Sequence, residues 1–268
     1  MPSAGPGVVP ARARPGAAVV VCLAPMFRFG PFLRHVAIAI LLGGAVAAAF
    51  AQAQVPPAPQ VVPDTLAERV QPCMSCHGRE GRATNLGFFP RIAGKPEGYL
   101  YNQLRNFRDG RRENVLMSGL VRHLSDDYLR EIAAYFAQQD LPYPPPQGGA
   151  HSVVDLQRAA DLVARGDKAR KVPACVQCHG AAMTGVQPAI PGLLGLPHDY
   201  LVAQFGAWRN GLRHAAAPDC MKVVAESLSA EEVSAVAAWL AAQPLPVDPH
   251  PAAAIAQPLP LDCGSGLR

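Results

Sequence analysis

The chain has 268 residues, enough for two small domains. Its formal excess of four positive charges is confined to the first 53 positions, where Arg12, Arg14, Arg28 and Arg34 lie and no acidic residue does. The remainder carries 20 basic and 20 acidic residues, which excludes the strong one-signed field of a nucleic-acid binder.

In chain order, the first element is an export signal. Arg28, Arg34 and His35 form a basic front, and Val36 to Phe50 is an unbroken apolar run. Small residues at Ala49, Ala51 and Ala53 suit a signal peptidase, and cleavage is expected after Ala53. The run is short for a membrane span, although an uncleaved segment would leave the chain associated with a membrane. Residues 1–25 fit no part of a signal and point to Met26 as the true start, in which case Cys22 is never translated. Six cysteines follow Ala53.

Residues 64–71 should form a helix leading into Cys73-Met-Ser-Cys76-His77, and the same signature returns as Cys175-Val-Gln-Cys178-His179. A C-x-x-C-H run is the attachment site of c-type haem. Its two thiols are placed to form thioethers to the haem vinyl groups, and the adjacent histidine supplies one axial bond to iron. Zinc would need a further cysteine or histidine pair close to each motif, and the sequence has none at typical spacing. Each motif is followed by glycine, Gly78 and Gly180.

The repetition extends well beyond the motifs, as self-alignment shows. His77 maps onto His179 at an offset of 102. At 101, Gly94, Pro96, Tyr99, Leu100, Gln103, Arg108, Gly110 and Arg112 map onto Gly195, Pro197, Tyr200, Leu201, Gln204, Arg209, Gly211 and Arg213. At 104, Met117 maps onto Met221, Leu124-Ser125 onto Leu228-Ser229 and Ala133-Ala134 onto Ala237-Ala238. The chain therefore divides into an extension and signal at 1–53, a first domain at 64–141, a Pro/Gly-rich linker at 142–150, a second domain at 151–246 and a tail at 247–268.

Both domains read as helical. Glu97 to Arg108 carries Leu100, Leu104 and Phe107 at helical spacing, and Asp126 to Gln138 carries Leu129, Ile132, Ala133 and Phe136 on one face. The repeat of the latter carries Val233, Val236, Ala237 and Leu240, opened by a capping box of Ser229 and Glu232. No period-2 run is long enough to predict a sheet. Domains of this size have little core of their own, and a buried porphyrin would supply apolar mass.

His77 and His179 are the expected proximal ligands. Met117 and Met221, in loops before the last helix of each domain, are the expected sixth ligands. A lone methionine is more often a core filler, but two at equivalent places in a duplicated haem domain favour ligation. His123, His151, His198 and His214 have no histidine counterpart in the other half and read as surface or loop residues. The carbonyls of Pro90 and Pro191 are placed to accept the second ring N–H of each haem histidine. Arg105, Arg108, Arg111 and Arg112 form a basic cluster that could dock a partner, hold propionates or simply be solvated. Cys220 and Cys263 are left over after export and haem attachment, which makes them a candidate disulfide.

These elements resemble the dihaem cytochrome c4 family of class I cytochromes c. The resemblance rests on Cys73-x-x-Cys76-His77-Gly78, on Gly94-x-Pro96-x-x-Tyr99-Leu100-x-x-Gln103-Leu104, on Met117 and on Leu124-Ser125-Asp126, each with its second-half partner. It covers about residues 64–246. It implies two all-α class I domains related by a pseudo-twofold axis, each wrapped around one covalent haem. It also implies attachment through Cys73, Cys76, Cys175 and Cys178, and axial pairs His77/Met117 and His179/Met221. The function so implied is periplasmic one-electron carriage, with no open haem site and no enzyme activity. The partners would be redox proteins: a quinol-oxidising complex or dehydrogenase as donor, a terminal oxidase or reductase as acceptor. Alternative readings are a cytochrome subunit held in a dehydrogenase or oxidase complex, and a dihaem peroxidase.

Overall fold

The structure is a computed structural model and describes residues 62–84, 88–147, 152–255 and 257–265. The export segment, Met26, Cys22 and His151 lie outside the described residues.

The first half opens with α1 (Leu66–Arg69) and α2 (Gln71–His77), followed by a single 3-10 turn at Arg79–Gly81. The sequence suggests one helix over 64–71, but the chain breaks at Val70. Pro72 lies in the first turn of α2, where its missing N–H is no loss, and it cannot donate back into α1. Then come α3 (Glu97–Arg108), α4 (Val115–Val121) and α5 (Asp126–Ala137). The faces predicted from periodicity are the buried ones: Leu100 and Phe107 on α3, and Leu129, Ile132, Ala133 and Phe136 on α5. Ser125 caps α5 by accepting from Tyr128 N–H.

The second half contains α6 (Val153–Arg165), α7 (Cys175–His179), α8 (His198–Arg209), α9 (Cys220–Ser227) and α10 (Ala230–Ala242). Between α7 and α8 lies a small antiparallel hairpin, β1 (Gly185–Val186) and β2 (Ile190–Pro191). Two-residue strands are too short to leave a period-2 signal, so the sequence predicts no sheet here. α10 buries Val233, Val236, Ala237 and Leu240 as its pattern requires. The core of this half is one continuous cluster, uniting α6, α8 and α10 through Leu162, Val163, Phe205, Trp208, Val236 and Leu240. The first-half core falls into two smaller clusters, one around Val70, Leu100 and Phe136, the other around Phe107, Val121 and Leu129.

The start of α10 is held by a buried carboxylate. Glu232 completes the capping box with Ser229 and receives Arg170 in a two-pronged pair, at 2.9 and 3.0 Å, with Arg158 also at 2.9 Å. Those bonds, Arg170 first, hold the Glu232 carboxyl below the usual carboxylate range. Its contribution is therefore fully present above the unfolded value of about 4.3 and is lost as pH falls through the lowered folded value. Glu232→Ala should lower stability by about 1–2 kcal/mol near pH 7, since it leaves Arg170 only its pair with Asp167, takes the partner of Arg158 and removes half of a capping box. Thermal melts of holoprotein and variant check this, and the gap between them should narrow in strong acid.

The two halves meet across a junction built from repeated residues. Glu113 N–H donates to Leu212 O at 2.7 Å, and the repeat-related His214 N–H donates to Arg111 O at 2.6 Å. Arg112 Nη1 and Nη2 donate to Gln103 and Gln204 Oε1 at 2.8 and 2.6 Å. Arg213 mirrors this, donating to Gln204 at 2.7 Å and to Gln103 at 3.1 Å. Arg112 also stacks on Phe107, and Arg213 on Trp208. Each arginine thus bridges its own half and the other, the reciprocity expected of a pseudo-twofold axis.

The linker is docked rather than loose over its described part. Arg91 donates to Leu141 O at 2.5 Å and Pro142 O at 2.9 Å and lies over the Tyr143 ring, while Gln147 N–H donates to Ala241 O at 2.8 Å. The tail runs back over both halves. Ala252 exchanges backbone bonds with Gly185 and Gln187, Gly264 N–H donates to Pro218 O, and Asn102 of α3 donates to Ser265 O. Among the described residues, no helix is long and apolar enough to cross a membrane.

Candidate haem sites

Each C-x-x-C-H motif forms a short helix, α2 or α7, which brings its two cysteines and histidine to one end. The helix stops because the next residue is glycine at positive φ, +75° at Gly78 and +84° at Gly180. A Cβ on Gly78 would run into the Ala83 carbonyl, so the chain can turn sharply there only with glycine.

Both histidines are buried, at 9% and 6% exposure. His77 Nδ1 lies 2.9 Å from Pro90 O, and His179 Nδ1 lies 2.7 Å from Pro191 O. A carbonyl can only accept, so Nδ1 carries the proton and Nε2 keeps its lone pair. Burial lowers the pKa of both rings, which favours the neutral imidazole that a metal requires. The same proline carbonyls were singled out by their spacing from the motifs. Cys73, Cys76, Cys175 and Cys178 are unpaired and half-buried. Burial pushes the Cys73 and Cys178 thiols up and the Cys175 thiol to about 11. Among the described residues, no group of three or more His, Cys, Asp or Glu side chains converges as a cage for a bare metal ion.

The methionines are not in loops as the sequence suggests. Met117 lies in the first turn of α4 and Met221 in that of α9. The overlooked signals are the caps. Asn114 accepts from Met117 N–H at 2.9 Å, and Asp219 accepts from Lys222 N–H at 3.1 Å. Met221 packs against the cluster that holds Cys175 and Val176. Met117 packs with Phe107, Val121 and Leu129, a cluster joined to that of Cys73 through Tyr101, Leu104 and Leu124. Each methionine therefore packs, partly buried, against the core of the half that holds the matching motif.

The other histidines are engaged elsewhere. His198 contacts Asp199 and Ser234, His214 Nε2 contacts Gly211 O in its own turn, and His123 is exposed. The basic cluster is not a uniform patch. Arg108 pairs with Asp109 and Asp126, Arg111 with Asp109, and Arg105 weakly with Asp109, while Arg112 is spent in the junction.

The residues present fit a haem. Two thiols, an imidazole with a free Nε2 and a partly buried methionine are found in each half. In the second half Trp208 Nε1 is buried without a hydrogen-bond partner among the described residues, a donor suited to a haem carboxylate.

Cys220 and Cys263 are joined in a disulfide, with Cα atoms 5.2 Å apart across 43 positions. The bond ties the tail to the first residue of α9, next to Met221. Closing a loop of that length is worth roughly 3–4 kcal/mol by unfolded-state restriction. If Met117 and Met221 hold the irons, Cys263→Ser should weaken the methionine-to-iron charge-transfer band of the second haem and leave that of the first unchanged. Optical spectra under mild denaturant check this.

A mostly helical pair of half-molecules, each closed around a C-x-x-C-H motif with its histidine clamped by a proline carbonyl, defines a class I c-type cytochrome. Comparison with known proteins sharpens that definition. No protein-family model matches the chain. It is 39% identical over 176 residues to a thiosulfate dehydrogenase electron acceptor of Thiomonas intermedia, covering 65% of this chain and 79% of that protein. It is 33% identical over 171 residues to cytochrome c4 of Pseudomonas aeruginosa, covering 63% of this chain and 82% of that one. The crystal structure of reduced cytochrome c4 from Pseudomonas stutzeri superposes with a TM-score of 0.58 at 28% identity, covering 66% of this chain and 95% of that chain. The thiosulfate dehydrogenase TsdBA of Marichromatium purpuratum superposes with a TM-score of 0.57 at 35% identity, but the match spans only 36% of that longer chain and 65% of this one. The chain belongs to the dihaem cytochrome c4 family, and it is an electron-transfer cytochrome with two covalently attached haem c groups.

Proposed function

We propose that this cytochrome accepts single electrons from a periplasmic sulfur-compound dehydrogenase, of the thiosulfate-oxidising type, and passes them to a terminal oxidase or reductase. The similarity to proteins named as electron acceptors of thiosulfate dehydrogenase carries this reading. It narrows the donor from the wider set of quinol-oxidising complexes and dehydrogenases that the sequence leaves open. In this reading Cys73, Cys76, Cys175 and Cys178 attach the haems, and His77 with Met117 and His179 with Met221 fill the axial positions.

When bound, each haem supplies a one-electron ferric/ferrous couple. The chain's residues set the terms of that couple. The Pro90 and Pro191 carbonyls fix the ring planes of His77 and His179 and strengthen Nε2 as a donor. The Met117 and Met221 thioethers favour the ferrous state and so raise the potential. An iron held by histidine and methionine side chains in each half would offer peroxide no place to bind. The Arg112, Arg213, Gln103 and Gln204 ring ties the two halves together by four hydrogen bonds.

Stopped-flow mixing of oxidised holoprotein with purified thiosulfate dehydrogenase and thiosulfate tests the donor. Full reduction of both haems, first order in dehydrogenase, is expected. Reduction only by a quinol-oxidising complex would assign the donor elsewhere. The match to 36% of the longer thiosulfate dehydrogenase TsdBA chain supports a second reading, in which this cytochrome stays bound to its dehydrogenase as a subunit. Co-elution of the pair from a sizing column at physiological salt would establish it.

A further inference from the structure

Lys95 stands out as a buried amine at the variable position of the Gly94-x-Pro96 element. It precedes α3 in the first half, its residue is only 4% exposed, and its Nζ donates to Gly192 O at 2.9 Å, 97 positions further along. Gly192 directly follows Pro191, whose carbonyl clamps His179. Lys95 thus reaches from one half into the loop that orients the haem histidine of the other, and its charge acts on the His179 imidazole. The approach is fixed by a neighbouring bond, Gly98 N–H to Pro188 O at 3.0 Å.

The duplication shows that this contact is one-sided. The repeat partner of Lys95 is Leu196, an apolar residue that can do nothing equivalent for the first half. The repeat partner of Gly192 is Arg91, which is buried too, but its guanidinium is committed to the Leu141 and Pro142 carbonyls and the Tyr143 ring. Burial, with Arg91 adding to it, brings the Lys95 ammonium down to about 7, which marks how little solvent or counter-charge the protein gives it.

We propose that Lys95 is a positioning residue supplied by the first half, which raises the potential of the second haem and leaves that of the first, whose histidine faces Arg112 instead, unmoved. The inference rests on the haem-ligand reading above. Reduction adds one negative charge at the iron, and a buried cation beside its histidine loop stabilises that state more than a surface cation could. The bond to Gly192 also holds the loop that carries the Pro191 carbonyl, so the charge acts on a fixed ring.

A spectroelectrochemical titration of the holoprotein at pH 6, where the amine holds its proton, tests the inference. Lys95→Gln keeps a donor and removes the charge, and Lys95→Leu installs the residue of the repeat. Both should lower the ferrous-to-ferric ratio of one haem by roughly tenfold at a fixed poise, the scale of one buried charge in an effective dielectric of about 20. The other haem should be unmoved. Met117→His and Met221→His identify the waves, and the shifted wave should be the one that Met221→His displaces. The inference is overturned if Lys95→Gln leaves both waves in place, moves both alike, moves the wave assigned to Met117, or if only Lys95→Leu has an effect. Failure of the ligand reading is separately visible, because neither methionine variant would then displace a wave.

Discussion

Exported protein carrying Cys73→Ala with Cys76→Ala should gain the mass of one haem instead of two, and should lose the folded first half with it. The reason is the unequal cores. The second half packs α6, α8 and α10 into one continuous cluster and adds the Glu232 ion cluster and the Cys220–Cys263 bond. The first half has two separate apolar clusters that share only half-buried residues such as Tyr101 and Leu104. A domain of some 80 residues is marginal even with an intact core. With no haem attached to α2 to add apolar mass, the free energy left to α3, α4 and α5 is too small to keep them ordered. The matching pair Cys175→Ala with Cys178→Ala should also lose one haem, yet retain more helix. Intact-mass spectra after acid-acetone extraction count the haems, and far-UV circular dichroism compares the helix lost. Equal losses in the two variants would remove the argument from unequal cores, and two haems in either would remove the attachment reading itself.

The sequence carried the haem motifs, the clamping prolines and the helical faces because each has a local signature. C-x-x-C-H is a chemical requirement, the 12- and 13-residue spacing to the clamping prolines is a loop length, and the buried faces of α5 and α10 follow a 3.6-residue period. Cys220 and Cys263 were legible by elimination in the same way. What stayed hidden depends on contacts between distant segments. Gln103, Gln204, Arg112 and Arg213 align cleanly in the repeat, but nothing local says that each arginine crosses to the other half. Lys95 was passed over for the opposite reason, since it breaks the repeat where Leu196 would have been its match. A departure from internal symmetry is a signal only once the symmetric frame has been placed in space. The caps at Asn114 and Asp219 are local signals, and they place Met117 and Met221 in the first turns of helices.

Met117→His and Met221→His should each lower the potential of one haem, and only one, by on the order of 0.1–0.3 V. A thioether is a soft ligand that stabilises ferrous iron, whereas a second imidazole stabilises ferric iron. The exchange therefore acts on the couple directly, unlike a remote charge. The two replacements should differ in how completely they are accepted. Met221 follows a residue locked to the tail by the disulfide, and Asp219 anchors the turn before it through Ala215 and Lys222 N–H groups. Met117 is held by the Asn114 cap and by Ser118 Oγ donating to Phe107 O at 3.0 Å, with no covalent tie. The first site can shift its short helix to seat the smaller, stiffer imidazole. The second should hold its backbone and leave a fraction of molecules without a protein sixth ligand. Met117→His should thus give a clean low-potential wave, and Met221→His a mixed one that becomes cleaner when Cys263→Ser is added. Redox titration with the methionine charge-transfer band as the marker reads all three. Unchanged waves in both single variants would show that neither methionine binds iron, and a clean wave for Met221→His with the disulfide intact would show that the tail does not constrain its ligand.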